Sequence, residues 1–315
     1  MRANHAAIIG AGAIGVGWAI VFARSGVAVN VYDLDDRQLG SFHSRVEERL
    51  KLLAENQLLD RDINEILEQI NTFESLQDAC ANVSYLQECG PERLEIKKSL
   101  FAELESITST QTIIASSSSA LKPSVMAAEL QNPERFLVVH PANPPYLLPI
   151  AEVVPSPSTN SETIKQTMEL LTELGMKPVL INGEPEGFVF NRLQGAILRE
   201  AYCLVRDGVI SAKDLDLVVT QALGRRWSVI GPFTTSALNV KGGNRAHAAR
   251  MADSYHRMGL ERGQDDPWSD ELVEKVSNSI EQAWKVEDWE KNVLRRDLAL
   301  MHLLKFIQQD PDLTL

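Results

Sequence analysis

Through its first 181 residues the chain sets short apolar runs between longer stretches in which apolar residues recur every three or four positions. The runs predict strands at Ala6–Gly10, Ala28–Asp33, Tyr85–Cys89, Thr112–Ala115, Phe136–His140, Pro149–Val154 and Pro178–Ile181. The wider period predicts helices over Gly15–Ser25, Asp36–Asn56, Pro91–Ile107 and Ser161–Leu174. Strands alternating with helices imply an α/β sheet with helices on its faces. After about residue 185 the strand signal stops. "GFVFNRLQGAILREAYCLVRDGV" carries apolar residues at helical spacing, and "SAKDLDLVVTQAL" opens on a serine that can cap a helix. Segments near 244–260, 269–285 and 287–309 are also helical in pattern. Glycine, proline and acidic residues cluster in "NGEPEG" (Asn182–Gly187), which marks a boundary. The expected organisation is an α/β domain over 1–186 and an all-helical domain over 187–315.

Two polar residues break the apolar pattern. His140 ends the run Phe136-Leu137-Val138-Val139, and Glu152 interrupts the run from Pro149 to Val154. Between them lies a loop stiffened by prolines. Each alone is compatible with a structural role, a satisfied histidine at a strand end or a buried salt bridge.

The first strand runs into "GAGAIG". Gly10 permits the tight turn, Gly12 lets backbone approach a pyrophosphate, and Gly15 lets the following helix pack on the strand. With Ala13 and Ile14 at the helix start, these residues form a candidate phosphate loop. Asp33 ends the second strand, where a carboxylate can accept both ribose hydroxyls. Leu34, Asp35 and Asp36 offer no cation for a 2′-phosphate, so NAD is favoured over NADP, with Arg37 the only basic residue nearby.

Composition narrows the class further. The chain has 315 residues, 44% of them hydrophobic, enough for two domains with cores. Its net charge of −12 disfavours nucleic acid as a partner. Cys80, Cys89 and Cys203 are scattered, with no CxxC pair, and are expected as reduced thiols with no metal site. No run approaches the roughly 18 apolar residues of a membrane helix. A cytoplasmic enzyme of a small molecule is the expectation, with no membrane partner.

Six stretches, "GAGAIGVGWA", "QECGPERLEIKKSLF", "ASSSSALKPS", "HPANPPYLLPIAEVVP", "GFVFNRLQ" and "LGRRWSVIGP", carry a resemblance to the 3-hydroxyacyl-CoA dehydrogenase superfamily over nearly the whole chain. The resemblance implies a doubly wound Rossmann-type NAD-binding domain followed by an all-helical domain that forms a homodimer. It implies His140 as the base and Glu152 as its partner, with Ser119 and Asn191 positioning substrate. It further implies cofactor contacts from Glu92 and Lys97, with Asn143 near the nicotinamide. Relatives usually carry Thr where Ser118 stands, still a hydroxyl.

The chemistry agrees with the roles of His140 and Glu152. Oxidising a secondary alcohol removes a hydride and a proton, and imidazole suits the proton near neutral pH. A carboxylate on its other nitrogen fixes the tautomer and stabilises the imidazolium. In "LGRRWSVIGPF", Arg226 aligns with an arginine of superfamily members that act on free carboxylates, and a guanidinium pairs bidentately with a carboxylate. A salt bridge is the alternative role. The expected substrate is a free 3-hydroxy acid such as L-gulonate, with L-carnitine or a short 3-hydroxyacyl thioester as alternatives.

Overall fold

The computed structural model describes residues 5–241, 243–263, 269–281 and 285–309. They fall into two compact units that divide after Arg192.

The first unit is built on one eight-stranded sheet: β1 (His5–Ile9), β2 (Ala28–Tyr32), β3 (Ile70–Phe73), β4 (Tyr85–Glu88), β5 (Ile113–Ser116), β6 (Phe136–Pro141), β7 (Ile150–Pro155) and β8 (Lys177–Leu180). Their spatial order is β3-β2-β1-β4-β5-β6-β7-β8. Neighbours are parallel throughout except β6 and β7, which pair antiparallel. The chain therefore winds outward from β1 in one direction and from β4 in the other, and the crevice between them is where doubly wound sheets bind ligands. β4, β5 and β6 are buried along their whole length, as strands covered on both faces are, so the polar residues at their carboxyl ends, Gln87, Glu88, Ser116 and His140, are buried too. The hydrophobic pattern does not predict β3. Its sequence INTF buries Ile70 while Asn71 and Thr72 are exposed, so this edge strand carries almost no alternation.

The longer helices of this unit are α1 (Ala13–Arg24), α2 (Phe42–Glu55), α3 (Leu94–Ile107) and α4 (Ser161–Glu173), and α5 (Phe190–Arg206) starts in it. α1 is buried from Gly15 to Ala23. Phe22 stacks against Trp18 and Tyr85, with centroids 6.0 and 5.6 Å away. The single helix expected over Asp36–Asn56 is instead two, Asp36–Gly40 and α2. Gly40 and Ser41 are weak helix formers. The Ser41 hydroxyl donates to Arg37 O (2.9 Å) and Arg45 Nη2 to Gln38 O (2.9 Å), so carbonyls at the break are satisfied. The division falls within α5, whose first turn is tied to the first unit by Phe190 N–H on Glu152 and Asn191 on Ser119 O.

The second unit contains the rest of α5 and helices Ala212–Val218, Gly224–Trp227, Pro232–Asn239, Gly243–Glu261, Asp270–Glu281 and Trp289–Gln309. Residues 282–284 of the expected 269–285 helix lie outside the described residues. Ser211 caps Ala212–Val218, its hydroxyl accepting from Asp214 N–H at 3.1 Å. Residues Val219–Leu223 wind as a wider π-type turn that leads directly into Gly224–Trp227. A small core gathers Val205, Ala212 and Leu272, with Tyr202 and Leu215 packed on it. Among the described residues no helix is long and apolar enough to cross a membrane.

Candidate active site

The glycine loop sits between β1 and β4. Gly10 has φ +113°, and a Cβ there would fall 2.8 Å from the backbone C and O of Cys89. A Cβ on Gly15 would lie 1.9 Å from Gly10 O, so both glycines are demanded by backbone contact. Gly12 differs. A Cβ there meets nothing within 4 Å, and no side chain caps the start of α1. Open space before uncovered helix N–H groups is what a pyrophosphate requires.

Asp33 braces this loop while remaining at the sheet edge. Its Oδ2 accepts from Ala11 N–H (2.6 Å) and its Oδ1 from Asp35 N–H (2.8 Å). Arg37 does not reach toward a 2′-phosphate, because its Nε and Nη2 both bind Asp35 at 3.1 Å. Arg45, which the sequence pattern does not single out, donates to Ala11 O (2.7 Å) and so ties α2 to the glycine loop. The residues fit NAD. Asp33→Ala is expected to raise the dissociation constant for NAD about 10- to 100-fold, as loss of charge-assisted hydrogen bonds would, and titration calorimetry measures it.

A buried ionic chain lies under the ends of β4 and β5. Lys97 (1% exposed) donates to both oxygens of Glu88 (0% exposed) at 2.7 and 2.8 Å. Glu88 also accepts from Gly90 N–H (2.7 Å) and the Ser116 hydroxyl (2.6 Å). Lys97 is therefore enclosed beneath the site rather than open to a cofactor, a difference from the direct contact expected of it. It reaches the surface layer through Glu92, whose Oε2 is 3.8 Å from Nζ. Glu92 in turn organises the serine loop, accepting from the Ser118 hydroxyl (2.5 Å) and from the N–H groups of Ser119 and Ala120 (3.0 Å each). Burial works against the charge on Glu92, but these donors and Lys97 outweigh it and hold the carboxyl below its ordinary value. The Ser119 hydroxyl makes no hydrogen bond to the described residues.

His140 and Glu152 are directly cross-strand partners in the β6–β7 pair. His140 Nδ1 and Glu152 Oε2 are 2.8 Å apart, and both residues are buried. The second oxygen, Oε1, accepts from the N–H groups of Val189 and Phe190, each at 2.8 Å. Burial raises the cost of charge on Glu152, yet the His140 contact and the two backbone donors prevail and keep its carboxyl below the ordinary value. An ionised Glu152 only accepts, so Nδ1 carries the proton, and in the neutral imidazole Nε2 then presents a lone pair. Asn191, one residue into α5, donates from Nδ2 to Ser119 O (3.1 Å). His140, Glu152, Ser119 and Asn191 are thus gathered at the carboxyl ends of β5 and β6 and the start of α5.

The loop after His140 rests on α1. A Cβ on Gly17 would lie 2.6 Å from Pro145 Cδ, and Arg24 donates to Tyr146 O (3.4 Å) from the same helix. Asn143 is exposed in this loop. Arg226 belongs to the second unit, in Gly224–Trp227, and has no acidic partner among the described residues. Cys80, Cys89 and Cys203 form no disulfide, and burial pushes the Cys80 and Cys89 thiols up to about 12, which disfavours the reactive thiolate.

Comparison with known proteins gives the chain its family. Residues 5–184 match the family model of the 3-hydroxyacyl-CoA dehydrogenase NAD-binding domain, and residues 187–283 match that of the C-terminal domain. The chain is 36% identical over 308 residues to human lambda-crystallin homolog, covering 96% of each chain. It is 31% identical over 311 residues to L-carnitine dehydrogenase of Bacillus cereus, covering 96% of this chain and 92% of that one. A crystal structure of 5-formyl-3-hydroxy-2-methylpyridine 4-carboxylic acid 5-dehydrogenase, an NAD-dependent dismutase, superposes with a TM-score of 0.84 at 25% identity, covering 98% and 99%. With an NAD-binding unit and a helical unit matched along most of its length, the chain belongs to the 3-hydroxyacyl-CoA dehydrogenase family.

Proposed function

We propose that this protein oxidises the C3 hydroxyl of a small free 3-hydroxy acid, L-gulonate above all, to the 3-oxo acid. The observation that carries the proton-transfer half is the His140–Glu152 contact, with Nε2 of His140 left as the base. NAD, when bound, supplies the hydride acceptor. His140 takes the hydroxyl proton on Nε2, and Glu152 steadies the imidazolium through Nδ1. Ser119 and Asn191 hold the reacting oxygen, while Glu92 fixes the backbone of the serine loop beneath it.

Arg226 is proposed to bind the substrate carboxylate. Its lack of an acidic partner among the described residues favours this over the salt-bridge alternative. The match to an L-carnitine dehydrogenase supports a second substrate, since L-carnitine is also a free 3-hydroxy acid. A short L-3-hydroxyacyl-CoA ester is the third.

The helical unit exposes Leu217, Val218, Phe233, Leu238 and Leu260 to 50% or more. These uncovered apolar side chains support a homodimer through this unit. The reading places the enzyme in the cytoplasm.

NADH formation by purified protein with NAD decides the substrate, with L-gulonate, L-carnitine, L-3-hydroxybutyrate and L-3-hydroxybutyryl-CoA tested in parallel. A free acid is expected to win. Arg226→Met is expected to raise its KM about 10- to 100-fold, the loss of one charge-assisted pair. Preference for the thioester, with Arg226→Met indifferent, would overturn the carboxylate assignment.

A further inference from the structure

The segment that delivers two N–H groups to Glu152 has an unusual backbone. A turn over residues 185–188 closes with Phe188 N–H on Pro185 O (3.0 Å), and Gly187 takes φ +72° at its third position. Phe188 then also takes a left-handed φ, +50°. Glycine or asparagine adopts this conformation readily, whereas a bulky aromatic is an outlier. Phe188 is fully buried, packs in the core cluster with Val138, Val154 and Ile181, and has its ring centroid 5.8 Å from that of His140. Packing therefore holds a strained residue directly before the two donors that Glu152 uses.

We propose that Phe188 is a positioning residue for the His140–Glu152 pair: its left-handed backbone turns the N–H groups of Val189 and Phe190 onto Glu152 and fixes that carboxylate as the acceptor for His140. The proposal rests on that pair being the proton acceptor. Asn191 follows on the same segment and binds Ser119 O, so one turn sets the carboxylate and the serine loop together. The groups facing Glu152 are few. β6 presents His140, the cross-strand residue on β8 is Val179, and the segment itself presents Phe188 and Phe190. His140 is thus the titratable side chain that bears on it, and the two N–H groups supply the rest of its stabilisation.

The test separates backbone from side chain. Phe188→Gly keeps the left-handed conformation and removes the ring. Phe188→Val keeps an apolar side chain but disfavours that conformation, because it is β-branched. Gly187→Ala perturbs the same turn more gently. Glutamate carboxyl carbons are labelled with 13C in the full-length chain, and the Glu152 signal is identified by its loss in Glu152→Gln.

In the wild type and in Phe188→Gly, the Glu152 signal is expected to titrate below the ordinary glutamate range. In Phe188→Val, burial is no longer offset by the two donors, and the midpoint is expected to rise by about one unit or more. Gly187→Ala should move it the same way by less. A Phe188→Val signal that stays with the wild type overturns the proposal, as does a Phe188→Gly signal that moves equally far. If Phe188→Val does not fold, Gly187→Ala decides, and an unmoved carboxyl there overturns it. The titration needs no substrate, so its failure is distinct from failure of the dehydrogenase assignment, which activity of His140→Asn would reveal.

Discussion

His140→Asn is expected to lower kcat for the hydroxy acid by about 10²–10⁴-fold, the range of a lost general base, while KM for NAD stays within about twofold. Asparagine can still hydrogen-bond Glu152 but cannot carry away the hydroxyl proton. The glycine loop and Asp33 directly follow β1 and β2, away from His140, so the cofactor half of the site is untouched. Glu152→Gln should cost less, about 10²-fold. Its carbonyl oxygen can still accept from Val189 and Phe190, but an amide facing Nδ1 neither stabilises the imidazolium nor enforces one tautomer. Steady-state kinetics on both variants, with NAD binding measured separately, check the result. A His140→Asn enzyme within tenfold of the wild type would remove the residue from the chemistry.

Lys97→Met is expected to destabilise the protein by about 3–5 kcal/mol, because it leaves Glu88 buried without its counter-ion. The loss would appear as a lowered urea midpoint. Glu88 would retain Gly90 N–H and the Ser116 hydroxyl, which soften the loss but bring no charge. The double variant Glu88→Leu/Lys97→Met should recover much of it, since an apolar pair of similar volume removes the unpaired charge. Recovery of stability without recovery of activity would show that the buried pair serves the Glu92 loop rather than the fold. If Lys97→Met unfolds at the wild-type midpoint, the pair is not a structural element at all.

Most of the sheet and the candidate dyad are legible in the sequence because they rest on local pattern. β6 and β7 announce themselves as apolar runs joined by a short loop, and an antiparallel pair so joined brings His140 opposite Glu152. The residues that sequence leaves unread act through distance along the chain. Glu88 ends its strand after Gln87 like many strand-end carboxylates, and only packing shows that Lys97, on the next helix, reaches back to it. Arg45 is one charged residue among several on an amphipathic helix, and its bond to Ala11 O is a tertiary fact. Phe188 in "GFVF" looks like any core aromatic, because sequence does not record the sign of φ. β3 escapes for the opposite reason: an edge strand with one buried residue has no period to detect.

The Gly17–Pro145 contact limits how far the two halves of the reaction can drift apart. Hydride loss and proton loss must happen at one carbon and its oxygen, so the spacing between the helix that receives the phosphates and the loop that leaves His140 has to be kept within fractions of an ångström. Here that spacing is gauged by backbone against a ring, with the width of one absent methyl as the tolerance. A gauge made of main chain does not relax through rotamers, so the two halves stay in registration while the substrate-facing residues are free to vary.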